Sequence, residues 1–204
     1  MATTTTRGRE LGGAKAARIV DAMRASVARR GTAGSTFDHV AREAQVSRGL
    51  LHYYFGTKER LLVEVVRRDC DVRLARLDAE LAEARSADDF IEVLVSNLQD
   101  IVRNDPAFMT LVFELFTLSR RNEELAAGFA ELLSRQRGQV AELLRAKEVE
   151  GVLHLRAEPH AVADILFSLG DGVGLRMLAE GERDFAPTVH AGVACVRALL
   201  DDPA

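Results

Sequence analysis

Residues 35–62 read STFDHVAREAQVSRGLLHYYFGTKERLL, and the spacing of apolar positions in this stretch decides the fold. Phe37, Val40, Ala41 and Ala44 share one helical face; after a break, Val46, Leu50, Leu51 and Tyr54 share another. Ser35, with Asp38 three residues on, is the expected cap of the first short helix. Ser47 is the expected cap of the second, and Thr57, followed by Lys58 and Glu59, opens a third. Helices this short bury too little apolar surface to stand alone, so they lean on neighbours. A pair of this kind suits one task well, which is to push its second helix outward into a DNA major groove.

The segment VSRGLLHYYFGTKERLL also resembles the signature of the TetR (tetracycline-repressor-like) transcriptional regulators. Val46, Ser47, Gly49, Leu51, Tyr54, Phe55, Lys58 and Leu61 match it, and Val40-Ala41 stands where that family usually has Ile-Ala. The motif-bearing resemblance covers about the first quarter of the chain. Two positions depart from it. His52 stands where the family usually carries a Tyr that contacts the DNA backbone, with Tyr53 beside it, and imidazole is the shorter group. Gln45 stands where a turn glycine is common, and a residue with a Cβ enters the left-handed region less readily.

Outward from the motif, charge divides the 204-residue chain. Residues 1–70 hold 13 Lys+Arg against 7 Asp+Glu, whereas residues 71–204 hold 14 against 24, so the formal net charge of −4 hides a basic first third. Such an asymmetry, placed on a helix-turn-helix pattern, points to a polyanion as the partner of the basic part. At 48% hydrophobic and 28% charged the composition is that of an ordinary water-soluble protein. No run approaches the ~18 apolar residues of a membrane span, and MATTTTRGRELGG lacks the apolar core of a signal peptide, so a cytoplasmic protein without a membrane partner is expected. Cys70 and Cys195 are far apart and argue against a disulfide framework or a zinc site.

The remaining pattern is helical throughout, and the expected fold class is all-α. Residues 1–13 read as a disordered arm whose Arg7 and Arg9 have the reach of a minor-groove tail, a solvated tail being the plainer reading. Residues 14–60 form the helix-turn-helix domain and 61–204 an effector-binding and dimerisation domain. Helix 14–30 turns Ile19, Val20, Met23 and Val27 inward, and Gly31 and Gly34 end it. From residue 57 to about 84, Leu62, Val66, Cys70, Leu74, Leu77 and Leu81 trace one long helix with no flexible linker inside it. Ser86 caps the next, Asn104-Asp105-Pro106 stops it, and Pro159 and Pro187 open the last two.

The candidate DNA-binding set is Ser35, Thr36, Ser47, Arg48, Gly49, His52, Tyr53 and Lys58. Arg48 offers a fork suited to guanine, Gly49 allows close backbone approach, and Thr36, His52, Tyr53 and Lys58 are placed for phosphates. In the later helices Phe90, Leu94, Leu98, Phe108, Met109, Val112, Phe113 and Phe116 are more aromatic than a bundle core requires. Core packing explains each singly, and the resemblance implies a small-molecule pocket among them. Gly170, Gly172 and Gly174 sit inside a helical pattern at about 1 kcal/mol each, a cost that implies close packing of a second helix. TetR-like proteins dimerise through their last two long helices, which implies an interface of Leu166, Gly170, Val173, Gly174, Met177, Val193, Val196 and Leu200.

His154, His160 and Asp164 come nearest to a ligand cluster and read as surface groups at a helix start, so no metal and no cofactor is expected. No constellation for catalysis stands out, and the chain is not expected to be an enzyme. The expectation is a homodimeric repressor on a palindromic double-stranded operator, released by a small-molecule effector. A constitutive DNA-binding protein and an all-helical enzyme are the competing readings.

Overall fold

The computed structural model describes the backbone from Thr3 to Asp201 and the side chains of residues 13–200. Among the described residues the chain is nine helices and one two-residue strand pair. The helices are α1 (Thr3–Gly34), α2 (Phe37–Glu43), α3 (Arg48–Phe55), α4 (Lys58–Ala82), α5 (Ala87–Asn104), α6 (Pro106–Ser119), α7 (Glu123–Val149), α8 (Pro159–Ala179) and α9 (Ala186–Arg197). The strands β1 (His154–Leu155) and β2 (Leu200–Asp201) pair antiparallel, His154 opposite Asp201 and Leu155 opposite Leu200. No alternating pattern announces strands of this length, which explains why the periodicity shows only helices.

The chain forms two compact units. The first is Met1–Asp69 with Leu111–Phe129; the second is Cys70–Thr110 with Ala130–Ala204. The first unit carries the opening turns of α4 and takes in a distant piece of α6 and α7.

In the first unit, Ile19, Met23, Val40, Leu51, Leu61 and Val65 are fully buried, as the one-face spacing of each helix requires. Helix α1 starts at Thr3, upstream of the expected arm-helix boundary at residue 14. Propagating an established helix is cheap, so Arg9-Glu10-Leu11 and Ala14-Lys15-Ala16 can carry it across Gly12-Gly13. The side chains of Arg7 and Arg9 lie outside the described residues, as do Met1 and Ala2. The helix breaks at Gly31, whose φ of 69° suits a residue without a Cβ. Arg60 pairs with Glu124, and Val63 Cγ1 lies against Gly128, joining the start of α4 to the start of α7.

In the second unit the core is built on Leu81, Phe90, Ile91, Leu144, Leu153, Val162 and Leu200. Ser86 caps α5 by accepting from Asp89 N at 3.1 Å, and Glu158 caps α8 by accepting from Ala161 N, also at 3.1 Å. Lys147 is 4% exposed, and its ammonium donates to the carbonyls of Ala82 (2.7 Å) and Ala84 (3.3 Å) and to Glu150 Oε2 (3.0 Å). A buried charge survives only when paired in this way, and here the pairing closes the C-terminal end of α4.

Candidate nucleic-acid interface and binding groove

The turn between α2 and α3 sets the outward aim of α3. Val46 N donates to Ala41 O at 3.0 Å, and Gln45 sits at φ 54°, the one non-glycine residue with positive φ among those described. That conformation costs a residue with a Cβ more than it would cost glycine. Leu51 is the face of α3 turned to the core, and Arg48, Gly49, His52 and Tyr53 lie on exposed positions of the helix.

Tyr53 is 80% exposed and meets Tyr54 edge-on at 5.3 Å between ring centroids. Around Gly49 a Cβ would meet nothing nearer than Ser47 Oγ at 4.0 Å, so the surface there is open to a close backbone approach. Arg48 Nη1 lies 3.3 Å from each carboxylate oxygen of Asp38. Ser47 is exposed, and its hydroxyl makes no capping bond to α3. His52 donates Nδ1–H to the Gly56 carbonyl at 3.0 Å and rests edge-on against Phe37 at 4.8 Å.

Three expectations for this face are corrected. The cap of α2 is Thr36 rather than Ser35: Thr36 Oγ1 accepts from His39 N at 3.3 Å and stays exposed. Ser35 is fully buried, bonded to Ser26 Oγ at 2.9 Å and donating to the Gly31 carbonyl at 2.9 Å, so it holds the α1–α2 corner and offers nothing to DNA. Lys58, expected at a phosphate, is half-buried and its ammonium donates to the Thr32 carbonyl at 2.8 Å, at the end of α1. Arg42 and Arg30, which the sequence reading did not single out, are exposed in the same module.

The eight pocket candidates are divided between the two units. Phe90, Leu94, Leu98, Phe108 and Met109 belong to the second unit, and Val112, Phe113 and Phe116 to the first. Phe90 is locked in the solid core, Phe108 lies 4.3 Å below the Arg73 guanidinium, and Phe116 is exposed with its ring 6.4 Å from Phe129. The second unit holds a groove of about 590 Å³ lined by α5, the α8–α9 connection and the first turns of α9, with Gln99, Arg103, Met177, Phe185, His190 and Val193 in its walls. None of the eight candidates lines it. Much of its wall comes from the short α8–α9 connection, where no periodicity flags a side chain.

On the last two helices the expected interface divides. Gly174, Val196 and Leu200 are buried within their own chain, and a Cβ on Gly174 would come within 3.0 Å of Met109 Cε and 3.3 Å of Leu98 Cδ1. The packing that this glycine allows is therefore internal, and these three residues are not offered to a partner. Leu166, Gly170, Val173, Met177 and Val193 are half-buried, with Met177 and Val193 in the groove. The exposed faces carry Ile165 and Leu175, both 46% exposed, with Gly172 on α8 and Ala191, Ala194 and Cys195 on α9. A pattern read inward selects the core side of such helices; the apolar outer stripe needed the same period shifted by half a turn.

Elsewhere, His160 Nδ1 lies 2.9 Å from Glu158 Oε1, and this bond holds the Glu158 carboxyl below its ordinary pKa. Asp164 faces Arg137 at 3.5 Å. Among the described residues there is no group of three or more His, Cys, Asp or Glu arranged for a metal ion, and no helix long and apolar enough to cross a membrane.

Set against known families, residues 19–65 match bacterial regulatory proteins of the tetR family, and residues 89–202 match the C-terminal part of BetI-type transcriptional repressors. The regulator BetI of Agrobacterium fabrum is 43% identical over 49 residues, a match that spans 24% of this chain and 24% of that protein. BetI of Burkholderia mallei is 28% identical over 153 residues, 67% of this chain and 78% of that protein. Among solved structures, Bacillus subtilis FadR in complex with stearoyl-CoA superimposes with a TM-score of 0.67 at 17% identity, covering 88% of this chain and 96% of that one. A Saccharomonospora viridis structure in complex with choline gives 0.66 at 22% identity, covering 91% and 97%. At these identities the structures share a fold with the chain and no more.

Proposed function

The chain belongs to the tetR family of bacterial regulatory proteins, with a BetI-type C-terminal region, and from that premise we propose a homodimeric repressor that leaves its operator when a small molecule binds. As a member it is a transcriptional regulator with a helix-turn-helix DNA-binding module, not an enzyme. The observation that carries the finer reading is the bare leading face of α3, where Arg48, Gly49 and Tyr53 stand clear of the core. Arg48 matches a guanine edge, and Tyr53, Thr36 and the Ser47 hydroxyl suit phosphates on either side.

Dimerisation follows from the adjacent outer faces of α8 and α9. Ile165, Gly172, Leu175, Ala191 and Ala194 make an apolar, small-residue surface of the sort that a second copy covers. Two-fold symmetry then presents two recognition helices to half-sites about 34–36 Å apart on a palindrome. Helix α4 begins in the reading unit and ends in the effector unit, so a ligand that prefers another arrangement of the pair weakens operator binding. Coupling of about 1–3 kcal/mol corresponds to some 5–150-fold. The ligands held by the FadR and Saccharomonospora structures support an effector in general and leave its identity open. Such a protein works where the genome is, in the cytoplasm.

Selection of bound fragments from genomic DNA by the full chain tests the proposal. The expected outcome is an inverted repeat with half-sites one helical turn apart. Recovery of DNA without sequence preference overturns it.

A further inference from the structure

We propose that the groove between α5 and α9 binds an amphipathic organic anion: a single carboxylate carried on an apolar tail. This inference rests on the ligand-responsive reading above and names the class of its effector. The volume, about 590 Å³, falls in the range of small-molecule sites, and Val102, Met177, Val189 and Val193 supply apolar wall for a tail.

The sign of the head group follows from which polar groups of the lining are already spent. Asp184 accepts from Ala186 N at 2.9 Å, which holds its carboxylate to the start of α9. Arg183 donates to Glu180 at 2.9 Å and lies 5.0 Å over the Phe185 ring. Among the described residues Arg103 is exposed with no hydrogen bond or ion pair, and Gln99 stands one helical turn before it on α5. His190 faces the same groove from α9. The unspent groups are thus a guanidinium, an amide and an imidazole. A guanidinium fork takes a carboxylate through two parallel bonds, and an ammonium head would meet two arginines with the one carboxylate already engaged.

Calorimetric titration of the full chain with decanoate, decan-1-ol and decyltrimethylammonium tests the head-group assignment. Decanoate binds at least about tenfold more tightly than the alcohol, the weight of a charge-assisted pair, and the cation binds most weakly. Arg103→Gln, at an exposed position, brings decanoate down to the level of the alcohol and leaves the alcohol unchanged; Val189→Phe, which narrows the groove, weakens both. Equal binding of the three probes, or indifference of decanoate to Arg103→Gln, overturns the proposal. So does decanoate binding that appears only in a dimer-breaking variant, because a second copy would then occupy the groove. Anisotropy on the selected operator separates this from the reading beneath it. Decanoate that binds through Arg103 without releasing DNA upholds the site and defeats its effector role, whereas release that persists in Arg103→Gln defeats the site.

Discussion

The Arg48 guanidinium, at the first position of α3, sits 3.3 Å from both carboxylate oxygens of Asp38 on α2, with both side chains well exposed. A pair this open contributes about 0–1 kcal/mol, little enough to exchange for a base edge. Replacing Arg48 with Ala is expected to weaken binding to the preferred operator by about 1–3 kcal/mol and to relax preference at one base pair. Asp38→Asn, which removes the competing carboxylate, is expected to raise affinity on operator and random DNA alike. Competitive anisotropy on a panel of single-base operator variants reads both.

Lys58 is expected to act on stability more than on salt dependence. Its bond to the Thr32 carbonyl closes the end of α1, so Lys58→Met lowers the thermal midpoint. The slope of log K against log salt stays as it was; a loss of about one from that slope would restore Lys58 to the phosphates.

Ser35→Ala strands the Ser26 hydroxyl and the Gly31 carbonyl inside the first unit. The expected loss is about 1–3 kcal/mol of folding stability, measured by denaturant unfolding. Operator preference in the folded fraction stays unchanged.

Leu175→Glu and Ile165→Asp place a charge on the outer face of α8, where neither side chain supports its own core. Sedimentation at micromolar concentration is expected to shift from dimer to monomer with the helical circular dichroism retained. Operator affinity falls with it, since a single half-site contact remains.

Asp171 is exposed on α8, and the partial desolvation it still meets there raises its carboxyl above its ordinary pKa. The folded state therefore favours the protonated form: its contribution is complete below the unfolded-state value and is lost as pH climbs through the raised folded-state value. Asp171→Asn is expected to have a higher thermal midpoint than the parent at neutral pH, with the gap closing in acid. Paired melting curves from acid to neutral pH check it.

The helices were legible because each keeps one apolar face. Helix α8 spans 159–179 as its proline and period predict, and Ser86 and Thr57 cap where their side chains suggest. Ser35 and Thr36 are adjacent hydroxyls, and only the corner geometry decides which one caps and which one is buried. That Arg48, Gly49 and Tyr53 are exposed on α3 was legible from its helical period, with Leu51 as the inward position. The groove was not, since Arg183, Asp184 and Phe185 belong to a connection whose conformation no period encodes. Glycine 174 shows the same limit: its cost signalled a close neighbour, and only the fold shows that the neighbour is Met109.

The first unit recruits Leu111–Phe129 from beyond a stretch of some forty residues that fold elsewhere. Cutting the gene after Asp69 would strip Arg60 of Glu124 and open the flank of Val63 to water. A reader of DNA cut at that point therefore loses both contacts. A chimera that grafts these recognition helices onto another sensor must carry the α6–α7 segment along with them.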